Sequence, residues 1–427
     1  MIRIRKNVVT YTTFAASVLA LVVSSQATAG SVITDGPDII IKTKGGFEAA
    51  TVDKSFSFKL GGRIQADFDQ FDGIYTKNGK SANEAYFRRA TLELSGNTYH
   101  DWQYAFKLNF AEDGSSKWDE AAITYTGFKP LKVKVGRFSP DFGLEKATSS
   151  KWISTIERSI IYDAGDWVND NQDGMGVQVS GTTGMFYGSV GINRAKNNED
   201  DNGSNNNTYN VRGVIAPMAE AGNVLHFGLN YAKRSTEDFD GRIRSRLGVR
   251  GTTEDTKNGN RPILASSQTG QFDNDSAWGL EAAYALGPFS AQSEYLRRNI
   301  DAKSGSIMKD RQIDGYNVQL AYTLTGEARG YKLGGGKFDS IKPSNKQTGA
   351  WELVYRYDHL TVADADMDST ASFYDTKAKI HTMGVNWYAN QAVKVSANYL
   401  KAKTDSIANA ANDDSGDAIS LRVQYVF

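Results

Sequence analysis

The chain has no cysteine, no net charge and, beyond its first stretch, no apolar run long enough to cross a bilayer as a helix. Without cysteine an exported protein must be held by its fold alone, which a closed barrel can do. The 49 basic and 49 acidic residues cancel. Loss of Arg3, Arg5 and Lys6 with a leader leaves 46 against 49, about −3. Net charge therefore does not announce an anion binder, and such chemistry has to come from where the arginines sit. Without spanning helices, a membrane protein is left with the closed barrel. The four histidines, His100, His226, His359 and His381, fall in no nucleophile or metal motif. No catalytic site, cofactor or metal is expected. The Asn/Asp-rich stretches 197–207 and 166–173 do not follow an EF-hand pattern.

What is present is alternation. The last eight residues, S-L-R-V-Q-Y-V-F, set Leu421, Val423, Tyr425 and Phe427 on one side of a strand, with Arg422 and Gln424 on the other. Such an ending resembles bacterial outer-membrane proteins. The pattern recurs upstream. Leu225, Phe227, Leu229 and Tyr231 oppose His226 and Asn230; Trp351, Leu353, Tyr355 and Tyr357 oppose Glu352 and Arg356. About sixteen segments of roughly ten residues can be counted, the length a tilted strand needs to cross a bilayer. Aromatic residues, 11% of the chain, gather near strand ends as an interfacial girdle would.

The N-terminus carries Arg3, Arg5 and Lys6, an apolar stretch, then Ala27-Thr28-Ala29. This is a signal peptide over 1–29. Residues 30–54 are expected at the periplasmic end, and 55–427 form the transmembrane β-barrel. Tight ends at Gly96-Asn97, Gly127 to Pro130, Thr182 to Gly184, Gly287-Pro288 and Asn390-Gln391 alternate with longer loops, among them 139–173 and 235–276. The stretch Gly326 to Gly349 is long yet falls on the short-turn side.

Two loops carry the positive charge. In 139–173, Lys146, Ser149, Ser150, Lys151 and Arg158 offer cationic and hydroxyl donors of the kind a tetrahedral oxyanion needs. In R-I-R-S-R-L-G-V-R, Arg242, Arg244 and Arg246 share one face of an extended segment, and Arg250 and Arg261 follow. Their planar forks suit phosphate. A solvated basic strand or a contact to lipopolysaccharide fits the same spacing. Lys59, Arg63, Arg89, Lys107, Lys132, Lys134 and Lys394 fall on the lumen parity, and Arg88 on the opposite one, near a rim or bend.

The chain resembles the phosphate-selective porin O/P family. The resemblance spans the mature chain and is carried by Thr34 to Gly46, F-S-F-K-L-G-G-R (Phe56 to Arg63), A-Y-F-R-R-A (Ala85 to Ala90), D-F-G-L-E-K-A-T-S-S-K-W (Asp141 to Trp152), D-W-V-N-D-N (Asp166 to Asn171), Arg242 to Gly251 and the end from His381. It implies a trimeric sixteen-stranded barrel with inward-folded constriction loops. An arginine ladder is carried onto Arg242, Arg244, Arg246, Arg250, Arg261, Arg88 and Arg89. A central phosphate site is carried onto Arg63, Asp119, Lys146, Ser149, Ser150, Arg158 and Lys394. A lysine cluster toward the periplasm is carried onto Lys42, Lys44, Lys54, Lys59, Lys134, Lys146, Lys332 and Lys342. The implied partners are phosphate or pyrophosphate, outer-membrane lipid and lipopolysaccharide, and two further copies of the chain; nucleic acid is not among them. Thr91 replaces an aromatic, Ser139 a bulky or acidic residue, and Gln103 stands where a lysine can occur. Thr91 and Ser139 are therefore candidates for choosing between orthophosphate and longer phosphates. A sugar porin is disfavoured because most aromatics lie on the lipid parity.

Overall fold

The structure, a computed structural model, describes residues 30–32, 38–43, 46–111, 117–169, 175–195, 206–239, 241–252, 258–265, 270–364, 376–405 and 415–427. The expected leader and Lys44 lie outside the described residues, as does most of 197–207. Among the described residues, nineteen strands form one sheet, and sixteen of them close a barrel. These are β1 (Ser57–Gly73), β2 (Gly79–Thr98), β3 (Trp102–Asn109), β4 (Lys117–Tyr125), β5 (Leu131–Arg137), β6 (Gly176–Thr183), β7 (Phe186–Ala195) and β8 (Asn206–Glu220). They continue with β9 (Asn223–Phe239), β10 (Phe272–Leu286), β11 (Phe289–Ala302), β12 (Arg311–Thr323), β13 (Ala350–Asp364), β14 (Thr376–Tyr388), β15 (Val393–Asp405) and β16 (Ser415–Val426). Each strand pairs antiparallel with its sequence neighbour. The seam is β16 on β1, with Ala418 opposite Phe71 and Val426 opposite Arg63. Closure pairs the strand edges, the condition for backbone in hydrocarbon.

The parity read from sequence holds at membrane depth. Phe227, Leu229 and Tyr231 are exposed on β9 while His226 and Asn230 are buried. Leu280 and Tyr284 face out on β10 and Glu281 faces in. Leu421 and Val423 face out on β16, Arg422 and Gln424 in.

Most strands are longer than a bilayer requires. β1 runs 17 residues, β2 20, β9 17 and β13 15, against 8, 9 and 7 for β3, β4 and β5. In the outer part of the long strands the polarity inverts. On β15 the buried side runs Lys394, Ser396, Asn398, Leu400, Ala402, while the other side passes from Val393 and Val395 to Lys401 and Lys403. Above the hydrocarbon the outer face meets water, and the inner face can be apolar.

Three details depart from the simple reading. Gly96 is not a turn glycine. The turn falls at Tyr99 and His100, both at positive φ, and a Cβ on Gly96 would sit 1.9 Å from the Ser57 carbonyl oxygen and 2.5 Å from the Tyr104 hydroxyl. The β1–β2 register slips between Gln65 and Ala66, which leaves Arg88 as an extra residue. This bulge is the bend that the parity of Arg88 required, and it lets Arg88 and Arg89 both avoid the lipid face, while Phe87 is exposed. Residues 47–50 pair with 57–60 and extend the wall beneath the seam, as the outer layer of a hairpin with Ile39–Lys42.

Candidate functional site

The segment 138–169 contains two short helical turns, Leu144–Ala147 and Ile161–Ala164. It is tied to inward-facing polar groups of many strands. Glu294 of β11 accepts the amides of Leu144 (2.7 Å) and Glu145 (3.1 Å) and the Tyr162 hydroxyl (2.5 Å). Arg356 of β13 donates to Glu145 (3.1 Å), the Thr155 hydroxyl (2.5 Å) and the Glu157 carbonyl (3.0 Å). Arg422 of β16 bridges Asp67, Glu157 and the Ile156 carbonyl. Ser154 donates to Glu352 at 2.8 Å. Burial alone would raise the Glu157 carboxyl; Arg88 and Arg422 overcome this and hold it well below the usual range. Charges this deep are retained because they are paired and hydrogen-bonded.

Several central-site candidates come together on this segment. Arg63 donates to the Ser150 hydroxyl at 2.7 Å, and Gln65 to the Ser150 carbonyl at 3.3 Å. Arg63 lies within electrostatic reach of Glu93, Arg158, Asp119 and Arg422. Its Nε is buried with no hydrogen-bond partner among the described residues. Arg158 crosses back to the carbonyls of Glu145 (3.1 Å) and Thr148 (2.9 Å). Lys146 Nζ stands 5.4 Å from the centre of the Tyr162 ring. The Ser149 hydroxyl accepts the Lys151 amide at 3.4 Å, and Lys151 pairs with Glu93 at 2.9 Å. Asp119 pairs with Lys107 at 2.9 Å, both side chains partly exposed. Lys394 is buried and donates to the Ile153 carbonyl at 2.8 Å, so it also anchors the segment. Thr91 is buried opposite Arg63; Ser139 and Gln103 are exposed.

The arginine-rich segment 241–252 is held differently. Ile243, Ser245, Leu247 and Val249 are buried, and Arg242, Arg244, Arg246 and Arg250 alternate with them and keep solvent contact. The buried side rests on an apolar bed of Ile300, Ile313, Leu360, Val362, Ile380, Leu400 and Ala402 from the outer strand halves, with Phe71, Ile74 and Tyr75. Asp163 accepts from the Ser245 hydroxyl (2.7 Å) and the Arg246 amide (3.3 Å), and Tyr75 donates to the Leu247 carbonyl (3.1 Å). Burial first, then Arg250, Arg261 and Arg88, push the Arg246 guanidinium down to about 10. Three other ladder candidates, Arg250, Arg261 and Arg88, thus lie within electrostatic reach of Arg246. Arg246 keeps two buried nitrogens without a hydrogen-bond partner among the described residues. Arg88 is paired with Glu157 (2.8 and 3.1 Å), and Arg89 donates to Gln65 (3.0 Å).

The lysine candidates are more dispersed. Lys42 pairs with Glu48 (3.3 Å), Lys332 with Asp339 (2.6 Å) and Lys134 with Glu120. Lys54, Lys59 and Lys342 are exposed. The long connection 324–349 carries two of them and is itself pinned. Arg212 donates to the carbonyls of Gly335 (2.9 Å) and Gly336 (2.7 Å), His226 pairs with the Tyr331 hydroxyl (2.6 Å), and both Arg212 and His226 meet Glu281. Arg329 reaches the Trp152 carbonyl at 3.1 Å. Arg212 and Arg329 were not singled out from the sequence; the inward parity of Arg212, His226 and Glu281 on three successive strands was the signal.

A closed antiparallel barrel with an apolar outer belt and a charged interior defines an outer-membrane porin. Solved structures agree on the fold: OmpT of Vibrio cholerae matches with a TM-score of 0.56 at 11% identity, covering 87% of this chain and 98% of that one. OprB of Pseudomonas putida also matches at 0.56, with 12% identity, over 88% of this chain and 95% of that one. The family model for phosphate-selective porin O and P matches residues 58–427, and Porin O of Pseudomonas aeruginosa is 55% identical over 97% of this chain and 98% of its own length. The chain belongs to the phosphate-selective porin O and P family.

Proposed function

We propose that the chain is a passive outer-membrane channel for phosphate, with 138–169 and 241–252 folded inward as the constriction. Family membership and the fold indicate a channel rather than an enzyme. The observation that carries the phosphate reading is the retention of buried, unpartnered guanidinium N–H groups at two levels, on Arg246 and on Arg63. An oxyanion satisfies such donors, and a charge-assisted bond in a partly dry site is strong. In this reading Arg242, Arg244, Arg246, Arg250 and Arg261 raise the anion concentration at the mouth. Arg63, Ser150, Arg158 and Lys146 replace its hydration at the narrowest place. The partly exposed face with Glu93, Lys107, Asp119 and Lys134 carries it past, and the lysines receive it below. Asp119 is an acceptor for a protonated phosphate, which chloride cannot use. Several weak sites in series permit release, whereas one tight site would block conduction.

Assembly as a trimer is part of the proposal. Trp102 and Phe106 on β3, Trp118 on β4 and Leu131 on β5 face outward and offer an apolar surface to a second copy. A trimer form of OmpT has the same fold as this chain (TM-score 0.55).

The test is single-channel chloride conductance in a planar bilayer during separate titrations with orthophosphate and pyrophosphate. Block by orthophosphate at lower concentration makes this an orthophosphate channel. Stronger block by pyrophosphate shifts the reading to longer phosphates, with Thr91 and Ser139 as the residues to exchange. No block by either overturns the phosphate reading and leaves a general anion porin.

A further inference from the structure

Within the long connection on the short-turn side, Arg329–Lys332 and Lys337–Ile341 pair as an antiparallel hairpin. The barrel wall holds this hairpin. Arg212 of β8 donates to the Gly335 and Gly336 carbonyls at its tip. Gly336, at φ 51°, comes so near the wall that a Cβ there would stand 2.9 Å from the Val214 side chain. His226 of β9 meets the Tyr331 hydroxyl at 2.6 Å.

The hairpin in turn meets the segment 138–169 at two points. The helical turn Leu144–Ala147 lies against Lys337–Ile341, and Leu144 is buried in one apolar cluster with Tyr331 and Phe338. At the other end of the stretch 144–152, Arg329 donates to the Trp152 carbonyl at 3.1 Å. Between the two points lie Lys146, Ser149, Ser150 and Lys151.

Arg329 is 4% exposed, and its hydrogen bonds among the described residues go to neutral acceptors, the Trp152 carbonyl and the Gln292 side-chain oxygen (3.2 Å) on β11. Glu352 and Glu145 act on it only at a distance. For packing alone this is a poor choice, since an apolar side chain of that volume would hold a hairpin without desolvating a charge. What the guanidinium adds is direction. Its planar fork sends one donor to the wall and one to the segment, while its face lies 4.2 Å from the centre of the Phe338 ring. Phe338 therefore joins the two points, under Arg329 on one side and in the Leu144 cluster on the other.

We propose that Arg329 is a positioning residue of the constriction: with Phe338 it clamps the stretch 144–152 from the periplasmic side and fixes the placement of Lys146, Ser149 and Ser150. What those donors bind rests on the phosphate reading above; the clamp does not.

The test uses Arg329→Met, which keeps a stem over Phe338 and removes the donors. In the folded, detergent-solubilised protein, hydrogen exchange should speed about tenfold at 144–152 and stay unchanged at 156–163. In planar bilayers the orthophosphate concentration for half-block should rise about tenfold, with chloride conductance within about twofold of the parent. Phe338→Ala, which removes the shared ring and leaves Arg329 in place, should also speed exchange at 144–148. Unchanged exchange at 144–152 in both variants overturns the clamp, whether or not phosphate blocks the parent. Faster exchange throughout the barrel, or faster exchange at 144–152 with half-block as in a phosphate-blocked parent, overturns the positioning role. A parent that phosphate does not block overturns the pore reading instead, and faster exchange confined to 144–152 then still upholds the clamp.

Discussion

The two segments that carry the cationic residues are held by opposite chemistries. The segment 138–169 is fastened by buried ions: Glu294, Arg356, Arg422 and Lys394 reach its backbone and side chains from distant strands. The segment 241–252 lies on Ile300, Leu360, Ile380 and Leu400, and its alternate residues sink into that bed. The difference follows depth. Where lipid covers the outside, the interior is polar and an entering segment must be anchored by hydrogen bonds. Where water covers the outside, the interior has become apolar, and a segment can be glued by burial with every second side chain turned the other way. The first arrangement fixes individual donors in place, as a binding point needs. The second presents a row of like charges that need not be individually fixed, as an attracting field needs.

The contrast can be broken at its strongest point by Arg356→Ala. It leaves Glu145 and Asp358 as buried, uncompensated charges, and a loss of about 3–5 kcal/mol is expected. Denaturant titration of the folded barrel measures this. Single-channel recording should show higher chloride conductance with phosphate block weakened at least tenfold. Leu247→Ala attacks the other region. Leu247 is fully buried, and its truncation should cost about 2–5 kcal/mol locally. Hydrogen exchange should speed at residues 242–250 and stay unchanged at 144–158. Phosphate block should weaken through a slower on-rate. Ser150→Ala removes the acceptor of the Arg63 bond and should cost about 1.5–3 kcal/mol in binding, read as a faster phosphate off-rate. Arg158→Ala should weaken block more than Arg261→Ala; equal effects would dissolve the distinction between a binding point and a field. The smallest effect belongs to Asp119→Asn. Its partly exposed pair with Lys107 is worth under about 1 kcal/mol, so stability should hold while discrimination of phosphate from chloride falls.

The barrel was legible because lipid imposes a strict period of two at membrane depth. His226, Asn230, Glu352 and Arg422 were placed correctly by alternation alone. The length of the strands was not legible. Once Leu400 and Lys401 exchange sides relative to the lower part of β15, the same alternation reads as polar loop. The apolar bed under the arginines was hidden for the same reason. The common face of Arg242, Arg244 and Arg246 was legible in their spacing, but the pairing of Arg88 with Glu157 depends on a one-residue bulge that no pattern marks. Nor could spacing reveal that Lys394 anchors Ile153, since that contact joins positions 241 residues apart.

The seam is where the two ends of the strand series meet. Phe427 exchanges backbone hydrogen bonds with Gly62 at 2.9 and 3.2 Å, and β16 lies along β1. A Cβ on Gly62 would fall 2.3 Å from the Thr91 carbonyl oxygen and 2.6 Å from the Phe427 ring. Without β16 beside it, β1 above Gly62 has an open backbone edge, which hydrocarbon does not tolerate. The glycine is therefore a docking notch: any side chain there would hold the closing strand off the wall and leave the ring ajar.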